Sequence, residues 1–236
     1  MRLMLPSFES SLPLDPSYVT VVSIYDVHLY AKLIKAISAS MNDIENACGA
    51  YFIDEKEKQL SMSKNAELIF DPLLIDFKSR KITNALVSKF KICLNLDVEA
   101  QARLEKSLLE LQDMVDNLLG DSDIQIKADS EWDSSRIIKA LGIELNTGEE
   151  NRTQLEILSS YLETAGSLSI AGYHIFIGLN QLLDDEELSQ FYKEALQRQV
   201  SIICLERRDN KPNPSPYARI IYVDEDYEEE VLLPLR

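Results

Sequence analysis

Residues 173–205, YHIFIGLNQLLDDEELSQFYKEALQRQVSIICL, decide the fold. Tyr173 to Ile177 is a short run of aromatic and β-branched residues, the composition of a buried strand. Asp184 to Glu187 place four carboxylates in a row at a helix start, where they complement the macrodipole. Behind them Leu188, Phe191, Tyr192, Ala195 and Leu196 recur on one helical face. Val200 to Leu205 is a second apolar run, as in a parallel strand covered on both sides. Strand, helix and strand at this spacing form a right-handed crossover unit.

Working outward, Val19 to Ile24 is another β-branched strand. It feeds through Tyr25-Asp26 into a helix, Asp26 to Ser40, marked by Val27, Tyr30, Ala31, Ile34 and Ile37. Ala50 to Ile53 and Glu67 to Ile75 are shorter extended segments, and Pro72 restricts the second to a sheet edge. A loop containing Pro212, Asn213, Pro214 and Pro216 leads to a last strand, Arg219 to Val223, and an acidic tail.

The middle of the chain is helical in pattern. Leu104, Leu108, Leu111, Val115 and Leu118 step by four, three, four and three, the rhythm of a helix (Glu99 to Leu119) that packs along another, with Gly120 as its stop. The expected partner is Ile82 to Leu94, where Leu86, Phe90 and Cys93 share a face. An extended piece at Ile124 to Ile126 and a helix from Asp133 to Leu141 follow. Gln154 to Ala165 is read as a helix ended by Gly166. Strands cluster at both ends, so the expected class is α/β: a head built from 1–60 and 151–236, with an α-helical insertion over 61–150.

Composition limits the function. The chain has 236 residues, 45% hydrophobic, enough for a genuine core. Its formal net charge of −16 disfavours phosphate unless positive groups are gathered locally, since potential is set within a Debye length. Cys48, Cys93 and Cys204 lack CxxC spacing and read as buried thiols of a reducing cytoplasm. The start carries no apolar signal core and no window approaches about 18 apolar residues, so neither export nor membrane insertion is expected.

There is no GxxxxGK[ST] and no GxGxxG, and only seven glycines in all, so no phosphate cradle is written in the sequence. Asp184 and Asp185 read as helix caps rather than metal ligands. His28 and His174 have no Ser or Cys partner at motif spacing, which leaves nucleophilic and zinc catalysis unsupported. Asp121, Asp123, Asp129, Glu131 and Asp133 join two helices as a calcium loop does. Gln125, Ile126 and Trp132 stand at the fifth, sixth and twelfth places, however, so it is no EF-hand. A solvated acidic loop and an irregular calcium site both remain open. Lys32 with Lys35, and Arg136 with Lys139, each project from one helical face, with Lys127 preceding the second pair; such pairs also occur on ordinary solvent faces.

Four stretches in this order resemble a known family: Ile24-Tyr25-Asp26-Val27 running into Tyr30-Ala31-Lys32-Leu33-Ile34; Ile137-Ile138-Lys139-Ala140-Leu141-Gly142-Ile143; Ile202-Ile203-Cys204-Leu205-Glu206-Arg207-Arg208; and Ile221-Tyr222-Val223-Asp224-Glu225-Asp226-Tyr227. The chain resembles the small spacer-acquisition protein of type II-A CRISPR systems, which forms a ring around DNA ends. The resemblance implies a degenerate P-loop-NTPase-like head without a Walker A loop, a helical leg, and a cytoplasmic, non-catalytic homotetramer enclosing double-stranded DNA ends. It implies structural calcium at Asp121, Asp123, Asp129 and Glu131, no nucleotide, and an inner wall of Lys32, Lys35, Lys127, Arg136 and Lys139. The CRISPR integrase complex and the RNA-guided nuclease of the same locus would be its partners. A protein-only scaffold of the same complex, without DNA contact, is the alternative.

Overall fold

The computed structural model describes residues 1–43, 49–119, 134–143, 145 and 152–234. The chain separates into two compact units, Met1–Asp76 with Thr147–Arg236, and Phe77–Asn146. In chain order the first unit opens with β1 (Arg2–Met4), β2 (Leu12–Pro13), β3 (Val19–Ile24), α1 (Val27–Met41), β4 (Tyr51–Ile53), β5 (Gln59–Leu60), α2 (Met62–Asn65) and β6 (Ala66–Ile69). The second unit holds α3 (Arg80–Leu96), α4 (Val98–Leu119) and α5 (Ser134–Ala140). The first resumes with α6 (Gln154–Leu168), β7 (Tyr173–Ile177), α7 (Asp185–Gln197), β8 (Ile202–Arg207), β9 (Ala218–Val223) and β10 (Glu229–Leu232). No helix among the described residues is long and apolar enough to cross a membrane.

The first unit is a mixed α/β structure around a six-stranded sheet of order β10-β9-β3-β8-β7-β6. All neighbours are parallel except β10 with β9. β3 and β8 are buried almost throughout, as their apolar runs require. One face carries Val22, Ile24, Ile175, Ile203, Leu205 and Ile221 against Leu29, Leu33 and Ile37 of α1. The alternate residues face α6 and α7, where Phe176 sits edge-on to both Tyr161 (5.8 Å) and Phe191 (5.4 Å). β6 forms the sheet edge that Pro72 predicts, which places residues 66–69, expected in the helical insertion, within the first unit.

Asp26 begins α1 by accepting from Leu29 N at 2.7 Å, and Asp184 begins α7 with a full capping box through Glu187. Asp26→Ala is expected to lower stability by about 1 kcal/mol, measured as a shift in the urea midpoint.

Several expectations are corrected. Gly166 does not end α6, which continues to Leu168 and closes on Ser169 at φ 50°. A Cβ at Gly166 would lie 3.0 Å from the Arg198 carbonyl, so this glycine serves close approach between helices rather than termination. The acidic tail is not simply a tail: Asp224 accepts from Asp226 N and Glu228 N, Tyr227 adopts φ 62°, and β10 returns along β9. β1, β2, β4 and β5 form a separate four-stranded antiparallel sheet, of which only β4, within the extended segment expected at Ala50 to Ile53, is announced by a local run. Of the thiols, Cys204 is buried but Cys93 is exposed; Cys48 and the extended piece 124–126 lie outside the described residues.

In the second unit, α5 buries Ile137 and Ile138, while α3 buries Ile82 and Val87. Gly142 terminates the short helix at φ 60°. α4 departs from expectation. It has no fully buried residue; Leu104 and Leu108 are half-buried, but Leu111, Val115 and Leu118 are 42%, 39% and 75% exposed, so among the described residues the C-terminal half of its apolar stripe is uncovered. Asp97 turns the chain between the two helices and caps α4 through Ala100 N.

Candidate functional site

The carboxyl ends of β3, β7 and β8 are where an open α/β sheet takes its ligands. Here only two residues, Tyr25 and Asp26, join β3 to α1, and the Asp26 carboxylate already occupies the helix N-terminus. A phosphate would meet a fixed negative charge at the position where backbone N–H groups would otherwise receive it. Gly178, at φ 68°, turns the chain after β7, and the Asn180 side chain donates to the Arg207 carbonyl, binding that turn to β8.

Glu206 lies beside this turn at 1% exposure. Its Oε2 accepts from Asn180 N at 3.0 Å, and Oε1 has no partner. Burial pushes the carboxyl up to about 7, against the lowering effect of the Asn180 amide, Arg208 and the Leu179 backbone. The Glu206 charge helps burial raise the Tyr30 phenol to about 12. Tyr192 and Cys204 are raised well above their ordinary ranges, mainly by burial. His174 is buried at the start of β7 and pairs with the Tyr161 hydroxyl at 2.8 Å, while His28 is exposed on α1.

The basic residues proposed from sequence divide between the units. Lys32 and Lys35 are exposed on α1, and Lys32 Nζ donates to Ser7 Oγ at 2.8 Å. Arg136 is exposed on α5, Lys139 occupies the position one turn later, and Lys127 lies outside the described residues. Asp121, Asp123, Asp129, Glu131 and Asp133 also lie outside them. Among the described residues, no three His, Cys, Asp or Glu side chains converge as a metal-holding group.

The spacing of paired lysines misses a stronger feature. α3 carries Arg80, Lys81, Lys89 and Lys91 and no acidic residue, in a chain of net charge −16. At 100° per residue, Ile82, Leu86, Val87 and Phe90 gather on one side, and the four cations spread over the remaining half-turn, with Lys89 at one edge of it and Arg80 and Lys91 at the other. Arg80, Lys89 and Lys91 are exposed. α4 is opposite in sign, with Glu99, Glu105, Glu110, Asp113 and Asp116 against Arg103 and Lys106. Those two cations pair with Glu99 and Glu110 of the same helix. The helical unit thus segregates charge by helix, and the signal for it is the sign of a whole helix rather than a pair of positions.

The profile of a family described as "CRISPR-associated protein (Cas_Csn2)" matches residues 43–227, more than three quarters of the chain. The matched span includes every strand of the parallel core except β3. No curated protein matches the chain at a significant level.

Proposed function

We propose, for a chain that belongs to the CRISPR-associated Cas_Csn2 family and so has its role in type II-A CRISPR adaptation, a non-catalytic assembly that binds double-stranded DNA ends. The observation that carries the DNA reading is the one-signed α3, a helix with four cations and no carboxylate in an otherwise anionic protein. Lysines and arginines on such a surface hold phosphates with strong salt dependence and little sequence preference. Lys32, Lys35, Lys127, Arg136 and Lys139 extend the set on the resemblance. The parallel core supports a degenerate P-loop-like head, and the Asp26 cap removes the reason for nucleotide to bind there. The helices of 77–146 correspond to the leg.

The exposed α4 stripe supports self-association, because Leu111, Val115 and Leu118 at heptad spacing suit a second copy of the same helix. A closed homotetrameric ring follows from the resemblance. Asp121, Asp123, Asp129 and Glu131 offer the hard carboxylate oxygens that calcium takes, and bound calcium would offset local acidic repulsion of DNA. The integrase complex and RNA-guided nuclease of the locus are the partners so implied.

A ring loads only over an end. In gel shifts with linear and covalently closed duplexes of one sequence, calcium is expected to retain the linear form alone, and chelator to release it. Equal retention of both topologies would overturn the ring. The uncovered α4 stripe also suits a second reading, a protein-only scaffold of the adaptation complex. Its signature is a stable protein assembly that fails to retain any duplex at low salt.

A further inference from the structure

Between β8 and β9 the chain crosses the α7 face of the sheet through Pro212, Pro214 and Pro216, enclosing a cavity of about 140 Å³. Its lining grades from exposed Asp185, Asn213 and Pro214 to buried Ser23 and Glu206. Ser23 and Glu206 are register partners across the parallel β3–β8 pair, so their side chains share this face. Glu206 Oε1 and Ser23 Oγ are both buried without a partner. Two adjacent unmet oxygens in one small lined space are costly unless something donates to them.

We propose that this cavity is a binding pocket for a primary alkylammonium group, with Glu206 as counter-ion and Ser23 as second acceptor. An anion is disfavoured, because the lining cation Arg208 is held by Asp185 at 3.0 Å and the Glu206 carboxylate repels negative charge. A divalent metal is disfavoured too, since one buried carboxylate and a hydroxyl fall far short of the oxygens calcium or magnesium needs. An ammonium brings three N–H donors on a slender stem, two of which these oxygens receive. The stem fits the apolar wall of Val21, Leu188 and Ile220. Such a group is found both on free amines and at the end of a lysine side chain of another protein. This pocket is independent of the DNA reading and of the residues assigned to it.

The test is thermal unfolding of the full chain at pH 8, in n-butylammonium chloride, Nα-acetyl-lysine amide, tetraethylammonium chloride or sodium chloride at equal ionic strength. Both primary amines are expected to raise Tm above sodium chloride with a logarithmic concentration dependence. At ten times Kd the folding equilibrium rises about elevenfold. Tetraethylammonium, which has no N–H, should give no excess. Glu206→Gln should abolish the response and Ser23→Ala weaken it. A stronger response to the blocked lysine assigns a protein side chain, and a stronger response to butylammonium assigns a free amine. Identical Tm in butylammonium and sodium chloride means that the pocket holds water only. That result, or an equal amine response in wild type and Glu206→Gln, overturns the proposal.

Discussion

Glu206→Gln is expected to stabilise the chain relative to wild type by about 2–3 kcal/mol more at pH 8 than at pH 5, in parallel urea titrations. The Glu206 carboxyl stands at about 7 in the folded protein against an ordinary 4.5, because burial penalises its charged form. With the folded value raised, the unfolded chain gives up the proton first as pH rises. The contribution is therefore fully present below pH 4.5, falls as pH rises through about 7, and is flat above. Glutamine has no proton to lose and keeps an oxygen for the Asn180 amide, so the variant omits this loss. The remaining acidic residues titrate alike in both proteins, and subtracting the two curves isolates position 206. Parallel curves would mean that Glu206 keeps its ordinary acidity, through solvent or a partner reaching Oε1.

That carboxylate also shows where the sequence stops being informative. Glu206-Arg207-Arg208 has the look of a solvated strand end. Burial at 206 arises only because β8 lies between β3 and β7 with α7 packed over that face. The parallel core itself was legible, since β3, β7, β8 and β9 are apolar runs buried on both sides, and that requirement is local composition. β4 falls in the extended run 50–53, but β1, β2 and β5 are two or three residues long, and the pairing that joins β1 to β4 spans about fifty positions, so no local pattern encodes that sheet. β10 contains Glu229 and Glu230, poor strand formers, and is held by the Asp224 turn and the β9 backbone instead. Gly166 misleads because a glycine needed for close approach and one needed for a left-handed turn are the same letter. Among the site residues, Lys32 and Lys35 lie on the exposed face that their spacing predicts. The heptad of α4 announced an apolar stripe correctly but not its cover, because periodicity says that a face must be buried and is silent on what buries it.

Reversing two charges on α3, Lys89→Glu with Lys91→Glu, is expected to weaken binding to linear duplex by on the order of 10- to 100-fold near 0.1 M salt. Each phosphate contact contributes about 0.9 to the slope of log K against log salt, so removing two should flatten the slope by about 2. Both side chains are exposed, although Lys91 stands one turn from the buried Val87 and Lys89 two turns from the buried Ile82, so the variant is expected to unfold near the wild-type urea midpoint. That control separates lost contacts from lost fold. Matched reversals on α4, Arg103→Glu with Lys106→Glu, change net charge by the same amount. They remove cations from a helix that carries five carboxylates, so the affinity change should be smaller and confined to long-range repulsion. The contrast between the two helices is the decisive quantity, because a chain of net charge −16 resists DNA whichever residue is reversed. Equal losses from α3 and α4 would reduce α3 to one contributor to total charge. A steeper loss with a flattened slope from α3 alone would make this helix a surface on which the phosphates rest.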